Sequence, residues 1–220
     1  MSRAAPDTRS ALIEAGTALF AEQGYRATSV RAIAAAAGAN VAAVGYHFGS
    51  KTGLYEAVVD TIAAGVEDKL GALTRQVQAR LDAGDVSAHE APALLRRLLT
   101  EKLDALISDP RADQWSLIIM REQFHPTGAF DRVFDAVMAP LHRAVTGLIH
   151  VARHGRDDSE TDIIRAHALI GQGLGFLFSR ETVLRRLGVR RLTDAHKDIM
   201  RGVIGDHVSR IVGETGAHTR

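Results

Sequence analysis

Short helical stretches, separated by glycine and by capping residues, dominate the first fifty residues of this chain. Apolar residues recur there at three- and four-residue spacing, which is typical of amphipathic helices. The predicted helices span about 8–23, 29–37, 40–47 and 50–81. Gly24 ends the first helix and Gly38 lies in the turn between the second and the third. Two short helices joined by such a turn form a helix-turn-helix arrangement.

The remainder of the chain also has helical periodicity, and strand-like alternation never extends beyond four or five residues. Further helices are predicted over about 91–107, 112–124, 127–153, 160–187 and 194–213. Pro140 lies inside one of them and is expected to kink or split it. The predicted fold is all-α: an N-terminal three-helix helix-turn-helix domain, joined by a long helix to a C-terminal helical bundle.

Composition narrows the possible functions. With a formal net charge of +1, the chain has no overall basic signal for nucleic acid, and without cysteine it has no disulfide, thiolate metal site or cysteine nucleophile. The N-terminus lacks the apolar core of a signal peptide, and no apolar run approaches the length of a membrane span. We therefore expect a cytoplasmic protein without a membrane segment.

The stretch from Thr8 to Val58 closely resembles the DNA-binding domain of the TetR/AcrR family of bacterial transcriptional repressors. The resemblance lies in the landmarks Leu19-Phe20, Gly24-Tyr25, Thr28, Ile33-Ala34, Ala37-Gly38, Tyr46-His47-Phe48, Ser50-Lys51 and Leu54-Tyr55. It implies a DNA-binding domain over residues 1–55, with the helix-turn-helix at about 29–48. Residues 56–220 would then form the ligand-binding and dimerisation domain.

The family register implies which side chains of the third helix read DNA. Ala39, Val44 and Phe48 would point inward, whereas the groove-facing set would be Asn40, Val41, Ala42, Ala43 and Gly45. Asparagine can pair with adenine, and alanine and valine can contact the thymine methyl group, so we expect a site rich in A·T pairs. Tyr46 or His47 would contact phosphate; the alternative for both is packing against a neighbouring helix.

Other candidates for phosphate contacts lie at helix starts. Thr28 and Ser29 open the second helix, and Lys51 stands in the first turn of the fourth, where a bound phosphate would offset its unfavourable position. Arg31 would reach the DNA backbone or a base edge; the alternative is a solvated side chain without a DNA contact. Residues 1–53 hold five basic and three acidic side chains, and this small excess predicts a modest salt dependence of DNA binding.

In the second half, the segment that begins "REQFHPTGAF" is similar to the C-terminal domain of the CecR-like group of these regulators. A small-molecule site needs an apolar pocket with a few polar groups. The candidate ligand-binding residues are Trp115, Arg121, Phe124, His125, Phe130, Phe134 and His142. The alternative is that the aromatic residues form the bundle core. Arg121 and Glu122 are adjacent and should point about 100° apart on a helix.

The last two predicted helices carry the features of a dimer interface. Gly171, Gly173 and Gly175 would weaken a helix, so we expect another backbone to come close to them. A homodimer formed through these helices would place two reading helices on a palindromic operator. The alternative is a buried helix within one chain.

The predicted function is a DNA-binding transcriptional regulator, a repressor that a small-molecule effector releases from double-stranded operator DNA. An activator, or a DNA-binding protein without an inducer, would have the same fold. The other class considered is a helical small-molecule carrier or enzyme without DNA binding. No catalytic motif or metal-ligand spacing stands out, so we expect no enzyme activity, no metal and no cofactor.

Overall fold

The computed structural model describes residues 7–108 and 111–213, except for the side chain of Leu70. These residues form eleven α-helices and no strand, which confirms the all-α prediction. The helices are α1 (Thr8–Ala27), α2 (Val30–Ala36), α3 (Val41–Phe48), α4 (Lys51–Asp82), α5 (Ala91–Ser108), α6 (Ala112–Phe124), α7 (Gly128–Val133), α8 (Ala139–Ala152), α9 (Ser159–Phe178), α10 (Arg180–Leu187) and α11 (Asp194–Gly213). Among the described residues, no helix combines the length and apolarity that crossing a membrane requires.

Two long predicted helices are interrupted. The helix predicted over 127–153 divides into α7, a π-helical turn at Phe134–Met138 and α8, with Pro140 in the first turn of α8. Proline is tolerated there because the first turn needs no backbone donor from it. The helix predicted over 160–187 is broken at Ser179, which separates α9 from α10.

The chain forms two compact units, and α6 and α7 belong to the first of them. The first unit contains Met1–Val66 and Pro110–Ala136, and the second contains Glu67–Asp109 and Val137–Arg220. Helix α4 contributes residues to both units. This grouping differs from the expected boundary at residue 55. One physical reason is that α6 packs along α1, so that its apolar side completes the core of the N-terminal helices.

Each unit has its own apolar core. In the first unit α1, α2, α3, α4 and α6 bury Leu12, Phe20, Ile33, Val44, Leu54 and Ile118. The rings of Phe20, Tyr25 and Tyr55 meet at 5.0 to 6.0 Å between centroids. In the second unit α5 packs against α8, α9 and α11 around Leu95, Leu98, Leu148, Ile149, Leu169 and Ile204.

Candidate functional site

Helices α2 and α3 are held against α1 and against each other, as a helix-turn-helix requires. Val44 is the fully buried anchor of α3, as predicted. Ala39 and Phe48, which were also expected to point inward, are half-buried. The guanidinium of Arg9 on α1 lies 5.4 Å from the centre of the Phe48 ring, which further fixes the end of α3.

The opposite side of α3 is exposed and has small side chains. Asn40, Val41, Ala42 and Gly45 are all exposed, and Ala43 is half-buried. A Cβ atom added at Gly45 would meet nothing within 4 Å, so no intramolecular packing requires glycine there. Tyr46 continues this surface, with 86% of its accessible area exposed. The face is therefore free to approach another molecule closely.

Asn40 has a structural role in addition to its position on this face. Its Oδ1 accepts a hydrogen bond from the backbone N–H of Ala42 at 2.9 Å and so caps the start of α3. The side-chain NH2 group retains its donors, and Oδ1 retains a second lone pair. Asn40 therefore has to contact adenine while its Oδ1 keeps the capping hydrogen bond to Ala42.

Thr28 requires a correction. Its side chain is buried, and its hydroxyl donates to the carbonyl oxygens of Gly24 at 2.8 Å and Leu19 at 3.2 Å. The hydroxyl therefore closes the end of α1, and the predicted phosphate contact by this side chain is wrong. Ser29 is exposed and caps α2, since its Oγ accepts from the N–H of Ala32 at 3.1 Å.

The remaining predicted phosphate contacts lie at or near the surface. Arg31 is exposed on α2, and His47 is half-buried beside the ring of Tyr46. The Lys51 ammonium lies 4.5 Å from the centre of the Tyr25 ring and donates to the carbonyl oxygen of Arg26 at 3.4 Å. An ammonium has three donors, so this contact leaves two available. Of the basic residues counted in this region, Arg3 lies outside the described residues.

The predicted ligand-binding residues lie in different local surroundings, and their shared role stays a prediction. The ring of Trp115 is buried where a Cβ atom at Gly65 would collide with it, so this side chain belongs to the core of the first unit. Phe124 is 73% exposed and His125 is also exposed. The rings of Phe130 and Phe134 stack on each other with 6.1 Å between their centroids, and Phe134 is 44% exposed.

His142 belongs to the other unit and stacks on His167 at 5.4 Å. Desolvation and the neighbouring His167 lower the pKa of His142. The pair is thus a local contact of the second unit.

Arg121 and Glu122 join α6 to the N-terminal helices, a role that was not predicted. The Arg121 guanidinium donates to the carbonyl oxygens of Glu22 at 3.2 Å and Ala21 at 3.4 Å, near the end of α1. As expected from their 100° separation, Glu122 faces elsewhere. Arg121 is therefore engaged by α1, and its predicted role in ligand binding stays a prediction.

Glu122 is only 2% exposed and accepts three kinds of donor. Its carboxylate accepts from the Tyr55 hydroxyl at 2.7 Å, and from the backbone N–H and hydroxyl of Thr127 at 2.9 and 3.0 Å. Burial and the hydrogen bond to Glu122 raise the pKa of Tyr55. The Glu122 and Thr127 side chains of "REQFHPT" thus form part of a buried polar network. In the sequence, this network is indicated by a glutamate five residues before an N-capping threonine.

The second unit contains a cavity that the sequence analysis did not identify. Its volume is about 470 Å³, and α4 and α5 provide its lining, which includes Lys102. Lys102 follows Leu98 and Leu99 by four and three residues, and is therefore on the buried side of α5. In the sequence, the burial of Lys102 is indicated by its place in a row of apolar residues along the helix.

Among residues 7–108 and 111–213, no group of three or more His, Asp or Glu side chains is arranged to hold a metal ion. His150 instead hydrogen-bonds through Nδ1 to the buried carboxylate of Asp162 at 3.0 Å. This pairing is a structural contact between α8 and α9.

Comparison with known proteins places this geometry in a family. Residues 12–58 match the family model of bacterial regulatory proteins, tetR family, and residues 91–215 match that of the C-terminal domain of the HTH-type transcriptional dual regulator CecR. The chain is 33% identical over 202 residues to the HTH-type transcriptional dual regulator CecR of Shigella flexneri, over 91% of this chain and 89% of that protein.

Solved structures share the fold at lower identity. The crystal structure of Mycobacterium smegmatis AmtR has a TM-score of 0.63 at 22% identity, over 98% of this chain and 90% of that one. The crystal structure of AibR in complex with isovaleryl coenzyme A and operator DNA also has a TM-score of 0.63, at 18% identity, over 91% and 97% of the two chains. The chain belongs to the TetR family of bacterial regulatory proteins, and its second half matches the CecR type of C-terminal domain.

Proposed function

We propose that this protein is a ligand-responsive DNA-binding transcriptional regulator that binds its operator through α3. The observation that carries the proposal is the exposed, small-residue face of α3 from Asn40 to Tyr46, held in place from behind by Val44. A helix with small side chains can approach the floor of the major groove closely. The membership of this chain in the TetR family supports the same role.

Few side-chain atoms of α3 are available to read the bases. The Asn40 side-chain NH2 can donate to adenine N7, while Oδ1 uses its second lone pair for the adenine amino group. The methyl groups of Val41 and Ala42 can contact the thymine methyl, with Ala43 and Gly45 contributing shape. We therefore expect A·T pairs at the contacted positions and part of the specificity from DNA shape.

Phosphate contacts would set the register of α3 in the groove. The exposed hydroxyl of Tyr46 and the free donors of Lys51 are the main candidates, with Ser29, Arg31 and His47 beside them. Thr28 is omitted because its hydroxyl is buried. Since Lys51 and Arg31 are the lysine and arginine of this set and few ionic contacts result, affinity should depend modestly on salt.

A homodimer formed through the last helices would place two copies of α3 on a palindromic site. Ile164 on α9 is 69% exposed and Ile199 on α11 is 64% exposed, as unpaired apolar surface would be before association. Added Cβ atoms at Gly171, Gly173 and Gly175 would meet nothing within 4 Å, which leaves room for a second chain. Half-sites should lie roughly 34–36 Å apart, or a multiple of that.

Repression would be relieved by a small molecule that binds a dimer geometry unsuited to DNA. The ligand and the operator then oppose each other by linkage, and each lowers affinity for the other by the same factor. The relative AibR was crystallised with both isovaleryl coenzyme A and operator DNA, which supports a two-ligand regulator in this fold. A promoter-reporter assay decides whether DNA binding by this protein represses or activates.

Selection of bound sequences from random DNA tests the DNA proposal. The wild type should enrich a palindrome with A·T pairs in each half-site, and Asn40→Ala should lose preference at one base pair per half-site. The matched control is Asn40→Ser, which keeps a capping oxygen but lacks the amide. If Asn40→Ala and the wild type enrich the same motif with the same preferences, Asn40 does not read a base.

Sedimentation velocity tests the dimer interface. Ile199→Asp should shift the protein towards monomer, because it introduces charge into an apolar contact surface. Leu117→Asp on α6 is the control, since Leu117 is 44% exposed and lies in the first unit. Equal effects of the two substitutions would place the interface elsewhere.

A further inference from the structure

The cavity of the second unit has the size and lining of a small-molecule site. Its volume of about 470 Å³ falls within the range of ligand pockets, about 300–1,000 Å³. Helix α4 contributes Lys69, Ala72, Leu73 and Gln76, and helix α5 contributes Arg97, Glu101, Lys102 and Asp104. Apolar and polar side chains thus share one concave surface.

Lys102 is the unusual member of this lining. It is only 8% exposed, and within the described residues no side chain or carbonyl group forms a hydrogen bond or ion pair with its ammonium. Among the described residues, the buried side-chain atom without a hydrogen-bond partner is Gln78 Oε1, so the Lys102 ammonium is not sealed off and is accessible from the cavity. Desolvation lowers the pKa of Lys102 to about 8, with Arg75 acting in the same direction and Glu101 against it. Most of the population is therefore still protonated at neutral pH.

The two carboxylates of the lining already have partners. Glu101 accepts from Nε of Arg97 at 2.8 Å, and Asp104 accepts from Nη1 of Arg201 at 2.5 Å. Both carboxylates are thereby at least partly neutralised, whereas the Lys102 ammonium is not. The Lys102 ammonium, which opens on the cavity, therefore has no hydrogen-bonded counter-ion among the described residues, and Glu101 acts on it through its charge alone.

We infer that this cavity binds an oxyanion, a carboxylate or phosphate monoester with a small apolar body, and that the Lys102 ammonium is its anchor. The apolar body would lie against Ala72 and Leu73, which line the same space. The inference rests on the proposed function in one respect: such a molecule would be the effector that releases operator DNA. The inferred effector site is thus formed by α4 and α5, and not by the aromatic residues of α6 and α7 that the sequence indicated.

Lysine-selective NMR tests the site on the full chain. The protein has four lysines, Lys51, Lys69, Lys102 and Lys197, so reductive ¹³C-methylation of their amino groups produces few resonances. Octanoate and octyl phosphate serve as the two anionic probes, and n-octanol as the neutral probe of matched length. The Lys102 resonance is assigned by its absence in Lys102→Met, and Lys197→Met is the control variant.

Octanoate, octyl phosphate or both should shift the Lys102 resonance at concentrations at which octanol does not. Affinity for that anion should fall about tenfold to a hundredfold in Lys102→Met, the loss of one charge-assisted hydrogen bond, and stay unchanged in Lys197→Met. Lys102→Arg should retain much of the affinity, because it keeps the charge. Which anion binds better decides between a carboxylate and a phosphate headgroup.

The inference is overturned if neither anion binds, if octanol binds as tightly as the anions, or if an anion binds without moving the Lys102 resonance. DNA binding is measured on the same samples by anisotropy with the selected operator. Operator binding without an anion site refutes this inference and leaves the proposed function intact, whereas loss of all specific DNA binding refutes the proposed function itself. A bound anion should lower operator affinity in the wild type and have less effect on Lys102→Met.

Discussion

Removal of one hydroxyl group, in Tyr55→Phe, should destabilise the first unit more than its size suggests. The hydroxyl donates to the Glu122 carboxylate at 2.7 Å, and that carboxylate is only 2% exposed. A hydrogen bond to a charged group contributes about 1.5–3 kcal/mol. The ring remains in place between Phe20 and Tyr25, so packing is conserved. We expect the free energy of unfolding to fall by about 1.5–3 kcal/mol.

Urea denaturation followed by tryptophan fluorescence measures this loss. Trp115 is the one tryptophan of the chain and is buried in the same unit, so its emission reports the relevant transition. Tyr25→Phe is the matched control, because its hydroxyl is 2.9 Å from the Thr52 hydroxyl at an exposed position and should contribute less than about 1 kcal/mol. If Tyr55→Phe costs no more than Tyr25→Phe, the polar network around Glu122 does not stabilise this unit.

Three further predictions concern other parts of the chain. Tyr46→Phe should lower affinity for all DNA sequences by about twofold to tenfold, the contribution of one hydrogen bond to phosphate, and anisotropy with two unrelated duplexes checks that both affinities fall together. Arg121→Met should lower the free energy of unfolding by roughly 0.5–1.5 kcal/mol in the Trp115 assay, because its carbonyl partners on α1 are partly exposed. Lys102→Met should raise the free energy of unfolding at pH 7 by on the order of 3 kcal/mol, since folding lowers the ammonium pKa from 10.5 to about 8. Because the folded pKa is the lower of the two, the wild type should regain this stability as the pH rises from about 8 to 10.5, and urea titrations across that range should show the two proteins converging.

The helix-turn-helix was predictable because its signals are local. Ser29 and Asn40 each cap the helix that follows, and Gly38 adopts a positive φ of 63° in the turn between α2 and α3. Each signal acts within a few residues, so sequence spacing alone contains it. The burial of Val44, which the family resemblance implied, is confirmed.

Contacts between distant segments were not predictable in the same way. Thr28 looked like a helix start, but α1 resumes after Gly24 and brings the carbonyls of Leu19 and Gly24 within reach of its hydroxyl. The composition of α6 and α7 indicated an apolar cluster, but it did not show which aromatic rings would be buried and which would face solvent. Trp115 is buried, whereas Phe124 faces solvent, and periodicity within a thirteen-residue helix did not separate the two.

Lys102 shows a further limit of sequence interpretation. Charged residues are normally assigned to the solvated face of a helix, and only the position of this lysine in the row of Leu95 and Leu98 indicates burial. The cavity beside it requires α4 and α5 to be placed together, which no local pattern encodes.

The affinity of the full-length chain for its selected operator tests the central claim most directly. Anisotropy should compare a duplex carrying the enriched palindrome with a shuffled duplex of the same composition, across a salt series. Specific binding should be about a thousandfold tighter or more than binding to the shuffled duplex, and the salt slope should be small because few ionic contacts are made. Equal affinity for the two duplexes at every salt concentration would contradict sequence-specific reading by α3.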